Sequence, residues 1–309
     1  MTTTEHRHLL VAGPHALTLV AGDAGTDPAE DGVVVDIRYC GICATDTHGY
    51  QAAVLPQAVF GHEWTGTVSA VGSQVSHVTV GQRVAVAVGP ACGTCSYCVA
   101  GHTTHCEAVL AEAMGIADDA PSHGGFATRI RVSGRRVIAV PDSMADVEAA
   151  LLEPAAVAFH AVRRAEIPFG AIVVVQGAGP IGLLTAQCAR NAGASTIIIS
   201  EPTPKRRESA RALGFDTVVA PERLADTLSE ATSGRGADVV FECAGVASLL
   251  RPTADLVRRG GQLSLVGFPA DLSEVSYSDW QIRELTVVVP SRTHTRISSV
   301  RSQPLRRSV

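Results

Sequence analysis

The stretch VVVQGAGPIGLL, residues 173 to 184, carries the clearest signal of architecture in the chain. An uncharged run of valines meets three glycines at G-x-G-x-x-G spacing, and an apolar helical pattern follows at once. The three glycines serve different ends. Gly177 makes the tight turn, Gly179 lets the backbone approach a pyrophosphate, and Gly182 lets helix and strand pack closely. A helix opening at Pro180 and Ile181 presents free N–H groups and a positive dipole end to that pyrophosphate. Gly177, Gly179, Pro180, Ile181 and Gly182 are therefore candidate cofactor-binding residues. By themselves they would be only a glycine-rich turn; the acid that follows gives them weight. Glu201 closes the next β run, 19 residues beyond Gly182, where a carboxylate accepts from both ribose hydroxyls and repels a 2′-phosphate. NAD is favoured over NADP on this ground. Lys205, Arg206 and Arg207 stand just beyond. They read either as the solvated start of a helix or, for Arg206, as a group that tolerates a phosphate.

Around this turn, strand and helix patterns alternate: IVVV (172–175), a helix over 180–192, TIIIS (196–200), a helix over 205–213 and TVV (217–219). A helix over 222–232, DVVFEC (238–243), a helix near 247–258, QLSLVG (262–267) and ELTVVV (284–289) follow. Such alternation predicts a doubly wound parallel sheet covered on both faces. The first half instead sets short Val-rich segments (DGVVVDIRY, GTVSAVG, GQRVAVAV, ATRIRVSG, RRVIAV) between Gly, Pro and Asp turns, which is all-β patterning. The character changes at LLEPAAVAFHAVRRAEI, a helical segment. The expectation is an α/β chain with a β-rich domain over 1–152, a Rossmann domain over 153–290 and an irregular Arg/Ser-rich tail over 291–309.

Composition narrows the function. The chain has 309 residues, 46% of them hydrophobic, and a net charge of −5, which fits a two-domain protein and argues against a nucleic-acid or anionic-membrane partner. The N-terminus MTTTEHRHLLVAG shows no secretory pattern, so a cytoplasmic location is expected, with His6 and His8 on a mobile terminus. The uncharged stretch over 171–189 is long enough to mimic a membrane span, but its central GAGPIG would break a spanning helix. Eight cysteines then face reducing conditions, where clustered thiols more often bind metal than pair.

Four of them, Cys92, Cys95, Cys98 and Cys106, stand at C-x2-C-x2-C-x7-C spacing in a lobe over 91–107. Four thiolates make a closed tetrahedral shell for zinc with no place for a substrate, so this lobe reads as a structural staple. His102 and His105 lie inside it and are expected to be solvated. A zinc ribbon that binds nucleic acid is the rival reading, but residues 91 to 107 contain no Lys or Arg for phosphate contacts. Candidates for a reactive centre are Cys43 in CGICATDTHGY, His62 and Glu63 in FGHEWTG, and Glu153 in LLEPAAV. A mixed thiolate, imidazole and carboxylate set leaves room for an exchangeable ligand, as a catalytic zinc requires. Each also reads singly as a buried thiol, a core histidine or an exposed acid, and no spacing rule links them.

YCGICATDTHG, GHEWTGTVSAVGSQV, the cysteine lobe, LLEPAAVAFHAV, GAGPIGLL and FECAGV together resemble the zinc-containing medium-chain dehydrogenase/reductase family. They lie nearest its polyol, 2,3-butanediol and threonine dehydrogenase branch. The G-H-E-x2-G-x5-G-x2-V pattern (Gly61, His62, Glu63, Gly66, Gly72, Val75) is the most specific part. The resemblance implies a GroES-like catalytic domain before the Rossmann domain, two zinc ions per chain, NAD as cofactor and an alcohol or polyol as substrate. It implies that Cys43 and His62 are catalytic zinc ligands, with Glu63 and Glu153 as the remaining carboxylates. It further implies Thr45 as acceptor of the substrate's hydroxyl proton, His48 as relay to solvent and Asp46 as the group that orients His62. Read without it, Thr45, Asp46 and His48 form an ordinary polar turn. Glu153 with Pro154 points to the polyol side, because ethanol-type enzymes carry a second cysteine there. Homo-oligomers, dimers or tetramers, are common in the family.

Cys40, Cys188 and Cys243 sit in apolar segments and are expected to be inert, and His160 reads as core. The chain stops before the final strand and helices that family members carry, so truncation with weak activity or aggregation is the expectation. A non-catalytic protein that binds zinc and nucleotide is the competing class.

Overall fold

A computed structural model describes residues 6–22, 27–52, 58–87, 91–108, 124–269 and 271–290. The expected tail over 291–309 lies outside the described residues. Two compact units divide the chain, one within Met1–Glu153 and the other within Pro154–Arg292.

In chain order the first unit contains β1 (Arg7–Gly13), β2 (Ala16–Ala21), β3 (Gly32–Gly41), α1 (Ala44–Ala52), β4 (Ala58–Val59), β5 (Glu63–Val71) and β6 (Arg83–Val86). A short helix α2 (Ser96–Val99), β7 (Arg129–Ser133), β8 (Val137–Ala139) and the single turn α3 (Asp146–Ala149) complete it. Five strands form an antiparallel sheet in the order β7-β3-β5-β6-β8, and β2-β1-β4 form a second sheet. Alternating side chains explain the core: Val33 and Val35 of β3, Trp64 and Val68 of β5, Val84 and Val86 of β6, and Ile130 and Val132 of β7 meet on one face. The hairpin of β1 (RHLLVAG) and β2 (ALTLVA) is a correction, because neither is among the Val-rich segments that read as strands and the start of the chain is expected to be mobile. Its pairing sets His8 opposite Val20, and His6 Nε2 lies 3.1 Å from Arg129 Nη1, so neither residue belongs to a loose terminus.

The second unit follows the expected alternation. Helix α4 (Leu152–Ala165), whose first two residues belong to the first unit, leads to β9 (Ile172–Gln176), α5 (Pro180–Asn191), β10 (Thr196–Ser200), α6 (Pro204–Ala212), β11 (Thr217–Val219) and α7 (Pro221–Thr232). Then come β12 (Ala237–Glu242), α8 (Leu250–Asp255), β13 (Val257–Leu265), α9 (Tyr277–Ile282) and β14 (Thr286–Val288). The sheet order is β11-β10-β9-β12-β13-β14, every neighbour parallel. This is the doubly wound arrangement, with its reversal of strand order between β9 and β12. Burial on both faces is visible residue by residue. Val173 and Val175 pack with Ala186 and Ala189 of α5 and Ala210 of α6, while Val174 faces Leu224 and Leu228 of α7 and Ala254 of α8.

The stretch over 171–189 is strand, turn and helix, and among the described residues no helix is long and apolar enough to cross a membrane. The strand expected over 284–289 is confined to Thr286–Val288, and the largest boundary difference lies just before β13. The helix near 247–258 shrinks to a 3-10 turn (Ala247–Leu249) and α8, and Val257 already pairs with Ala237 as the start of β13. Arg258, Arg259, Gly260 and Gly261 carried no strand pattern because they form an irregularity, and β12 and β13 resume register only at Val239 and Gln262.

Candidate metal centres and dinucleotide turn

Strand pairing builds the first site. In the antiparallel ladder of β3 and β5, Gly41 sits opposite Glu63, which brings Cys43, two residues on, beside the His62–Glu63 pair. Gly41 has to lack a side chain, because a Cβ there would lie 2.3 Å from Glu63 Oε2. Gly61, before His62, has φ +95°, and a Cβ on it would lie 2.7 Å from Cys40 Sγ. The ligand atoms of Cys43, His62 and Glu63 all lie within 4.8 Å of one another.

Asp46 fixes these two segments together. Its Oδ2 accepts the Cys43 N–H at 2.8 Å, as an acid three residues into a helix does when it closes the helix N-terminus. Its Oδ1 accepts the Gly61 N–H at 3.2 Å and lies 3.7 Å from His62 Nδ1. One buried carboxylate thus ties the backbone just before His62 to the start of α1. Thr45, Asp46 and His48 lie in the first turns of α1, with Thr45 exposed beside Cys43 and His48 half-buried.

The electrostatics of this group call for a cation. Burial pushes the Cys43 thiol up, with the Glu63 and Asp46 charges adding to it and Thr45 hydrogen bonds opposing. Burial likewise raises Glu63, against His62 and Cys43. Glu153, in the first turn of α4, is raised to about 7, by burial first and then by Glu63 and Asp46, with His62 opposing. Glu153 lies outside the three-atom group but within its field. Burial thus disfavours the charged forms of Cys43, Glu63 and Glu153 beside one imidazole, and a dication held among them would favour those forms. The donor set fits zinc.

The cysteine lobe forms a second, denser group. The sulfurs of Cys92, Cys95, Cys98 and Cys106 lie within 4.8 Å of one another, none in a disulfide. Cys92 Sγ and Cys98 Sγ are 3.9 Å apart. Four sulfurs at zinc–thiolate distance on a tetrahedron are separated by about 3.8 Å. Backbone N–H groups of Thr94 (3.4 Å) and Cys95 (3.3 Å) point at Cys92 Sγ, and that of Cys92 points at Cys106 Sγ (3.2 Å). The Thr94 hydroxyl, the Thr94 N–H and the Cys95 N–H bring the Cys92 thiol down to about 6, while burial and the neighbouring sulfurs push Cys98 up to about 12. His102 and His105 are exposed and stand outside the four-sulfur group.

Cys40, Cys188 and Cys243 are thiols that burial raises, Cys40 and Cys243 to about 12, so they stay protonated. His160 is half-buried on α4.

The glycine turn in the second unit has the geometry a pyrophosphate needs. Gly177 has φ +97°, and a Cβ on Gly182 would lie 1.9 Å from the Gly177 carbonyl oxygen. A Cβ on Gly179 would meet nothing within 4 Å, and as N-cap of α5 this glycine offers no side-chain hydrogen bond, so the first-turn N–H groups of Ile181 and Gly182 have no capping side chain. An open cradle over free helix N–H groups fits a dinucleotide.

Glu201 is buried, 2% exposed, with Oε2 accepting the Ala178 N–H at 2.8 Å and Oε1 the Thr203 N–H at 2.9 Å. Burial raises its pKa, but those N–H groups and Arg206, 4.0 Å from Oε2, hold it below the usual carboxylate range. Arg207 donates to the carbonyls of Glu201 (2.8 Å) and Pro202 (2.6 Å), so its guanidinium is engaged with backbone. Two contributions escaped the sequence. Gly41 carried no signal, since its role follows from cross-strand register. Glu242 stood out only as part of FECAGV, although an acid closing an apolar strand is itself a signal.

Comparison with known proteins agrees with this geometry. The model for the alcohol dehydrogenase GroES-like domain matches residues 29–142, and the model for zinc-binding dehydrogenase matches residues 180–301. The chain belongs to the zinc-containing medium-chain dehydrogenase/reductase family. It is 36% identical over 253 residues to a sorbitol dehydrogenase of Bacillus subtilis (strain 168), covering 79% of this chain and 70% of that one. Among solved structures it is similar to a protein of Sinorhizobium meliloti 1021 described as a zinc-binding dehydrogenase bound to NADP. That match has 29% identity, a TM-score of 0.84, and coverage of 95% of this chain and 86% of that chain. It is also similar to an Escherichia coli CFT073 alcohol dehydrogenase complexed with NADH, at 27% identity and a TM-score of 0.83, covering 94% and 85% of the two chains.

Proposed function

We propose that this chain is a zinc-dependent dehydrogenase that transfers hydride between a secondary alcohol, diol or polyol and NAD. The observation that carries the reading is the convergence of the Cys43 thiol, the His62 imidazole and the Glu63 carboxylate within 4.8 Å. In this reading Cys43, His62, Glu63 and the nearby Glu153 hold one zinc, and the four-cysteine lobe holds the other. When bound, the first zinc supplies Lewis acidity toward a substrate hydroxyl, and the dinucleotide supplies the hydride acceptor.

The protein's own groups handle the proton. Thr45, beside Cys43, accepts it from the substrate hydroxyl, and His48, one turn along α1 on the same face, passes it outward. Asp46 keeps Cys43 and His62 in place through the bonds described above. The raised pKa of Glu153 suits a carboxyl that exchanges in and out of the metal shell. NAD is favoured because the Glu201 charge repels a 2′-phosphate and Arg207 is engaged with backbone carbonyls. The similar structures bound to NADP and to NADH keep Arg206 as the group to vary when the preference is measured. The sorbitol dehydrogenase relative and the Glu153–Pro154 pair support a polyol. We expect a cytoplasmic homo-oligomer, dimer or tetramer, with a small-molecule substrate and no nucleic-acid or membrane partner.

The test is reduction of NAD and NADP by the zinc-replete protein over a panel of sugar alcohols, diols and threonine. Turnover with at least one polyol, faster with NAD, is expected. Absence of turnover across the panel in protein that carries two zinc ions would overturn the proposal.

A further inference from the structure

Two strands flank the reversal of order in the parallel sheet, and each ends in a loop at the edge where a ligand of this fold binds. β9 ends in the glycine turn. β12 ends in Glu242, a carboxylate that is 5% exposed. Its Oε1 accepts the N–H groups of Ala244 at 2.8 Å and Gly245 at 2.9 Å, while its own carbonyl accepts those of Val266 and Gly267, each at 2.8 Å. One residue therefore holds both the loop that leaves β12 and the loop that leaves β13.

Three loops meet here backbone to backbone. A Cβ on Gly267 would lie 2.3 Å from Gly245 N and 2.7 Å from Glu242 Oε2, so Glu242 lies against both loops. Gly245 has φ +67°, a conformation fixed while its N–H points back at the carboxylate. On the other side, a Cβ on Gly177 would lie 3.3 Å from Ala244 N and from Cys243. Cys243 N–H in turn donates to the Gln176 carbonyl at 2.9 Å. The segment 243–245 is thus wedged between the first glycine of the dinucleotide turn and the loop at Gly267. Burial pushes the Glu242 acid up and the two N–H groups draw it back, which is the balance of a side chain placed for its hydrogen bonds and not for solvation.

We infer that Glu242 is a positioning residue of the dinucleotide site, setting the backbone of residues 243–245 against Gly177 so that the cradle keeps the shape the cofactor needs. The inference rests on the dinucleotide reading proposed above, and it acts through the backbone, with no contact between Glu242 and the cofactor required.

The experiment is equilibrium NADH binding to the full-length, zinc-replete protein, read by nucleotide fluorescence, with zinc content and thermal midpoint measured on the same samples. Glu242→Gln keeps an acceptor at the Oε1 position and should bind NADH within about threefold of the parent. Glu242→Asp keeps the charge but withdraws it by one methylene, and should weaken binding about tenfold. Glu242→Ala should weaken it at least as much. KM for the dinucleotide should rise in step while KM for the alcohol and zinc content hold. If Glu242→Ala does not fold, the Gln and Asp pair decides. Parent-like NADH affinity in Glu242→Asp, even with a lowered thermal midpoint, would overturn the inference, because a merely structural role predicts that pattern. A parent protein that binds neither NADH nor NADPH would overturn the dinucleotide reading along with it. An NADH response as predicted without alcohol turnover would overturn the dehydrogenase proposal alone.

Discussion

The two metal-capable groups are built on opposite plans. The lobe draws four sulfurs from one run of sequence, Cys92 to Cys106, and the local turn at Cys92–Cys95 points N–H groups at sulfur. The other group takes a thiol from the start of α1 and an imidazole and a carboxylate from the start of β5, and it needs the register of a whole sheet to assemble. A site made from one loop can fold with its metal and stabilise little beyond itself. A site made across strands inherits the rigidity of the sheet, and its mixed ligands leave room for chemistry.

Breaking each plan should therefore fail differently. The largest effect is expected for Cys92→Ser. A structural zinc in a small lobe carries about 10–16 kcal/mol of coupled folding energy, so the lobe over 91–107 should lose its metal and become open to protease. Limited proteolysis with metal analysis reads this out; an intact lobe that retains its zinc would break the comparison. Cys43→Ser should instead leave the thermal midpoint close to that of the parent, remove one zinc per chain, and cut kcat/KM by more than about 100-fold. Asp46→Asn should lie between parent and Cys43→Ser. An amide can still accept through its oxygen, but its NH2 group faces a backbone N–H where Oδ1 or Oδ2 had accepted one. A loss of about 10- to 100-fold in affinity for the second zinc is expected, measured by chelator competition.

The smallest effect belongs to a carboxylate that holds no metal. Asp238, at the start of β12, accepts the Ile172 N–H at 2.8 Å and Arg258 Nε at 2.7 Å, with Arg235 at 3.4 Å. Burial raises it, but the Ile172 N–H and the two guanidinium groups hold it below the usual carboxylate range. Its folded pKa is depressed, so its stabilisation is complete above the unfolded pKa and is lost as pH falls through the folded value. Asp238→Ala should cost about 1–3 kcal/mol at neutral pH, a difference that shrinks below about pH 4 in denaturant melts. A difference independent of pH would show that packing, and not charge, is what Asp238 contributes.

The same contrast explains what the sequence discloses. The lobe and the glycine turn are local, and their chemistry is written in spacing: four cysteines over 92–106, and Gly177, Gly179 and Gly182 before an apolar helix. The parallel sheet was legible because strands buried on both faces read as unbroken apolar runs, such as IVVV and TIIIS. Cys43 and His62 were not linked by any spacing, and only the family resemblance joined them before register did. Glu63 became intelligible once Gly41 was seen opposite it. The β1–β2 hairpin went unread because β1 runs apolar without alternation and β2 exposes its leucines, and the start of β13 went unread because two arginines and two glycines hide a strand that bends. Glu242 needed three loops in contact before its place could be stated.

Cys43, His62 and the acids around them are expected to form a metal centre distinct from the cysteine lobe. Anomalous diffraction at the zinc edge from crystals of the full-length protein tests it most directly. Two peaks per chain are predicted, one enclosed by the four lobe sulfurs and one at about 2.0–2.3 Å from Cys43 Sγ and a His62 ring nitrogen. A single peak, confined to the lobe in crystals grown with excess zinc, would contradict it.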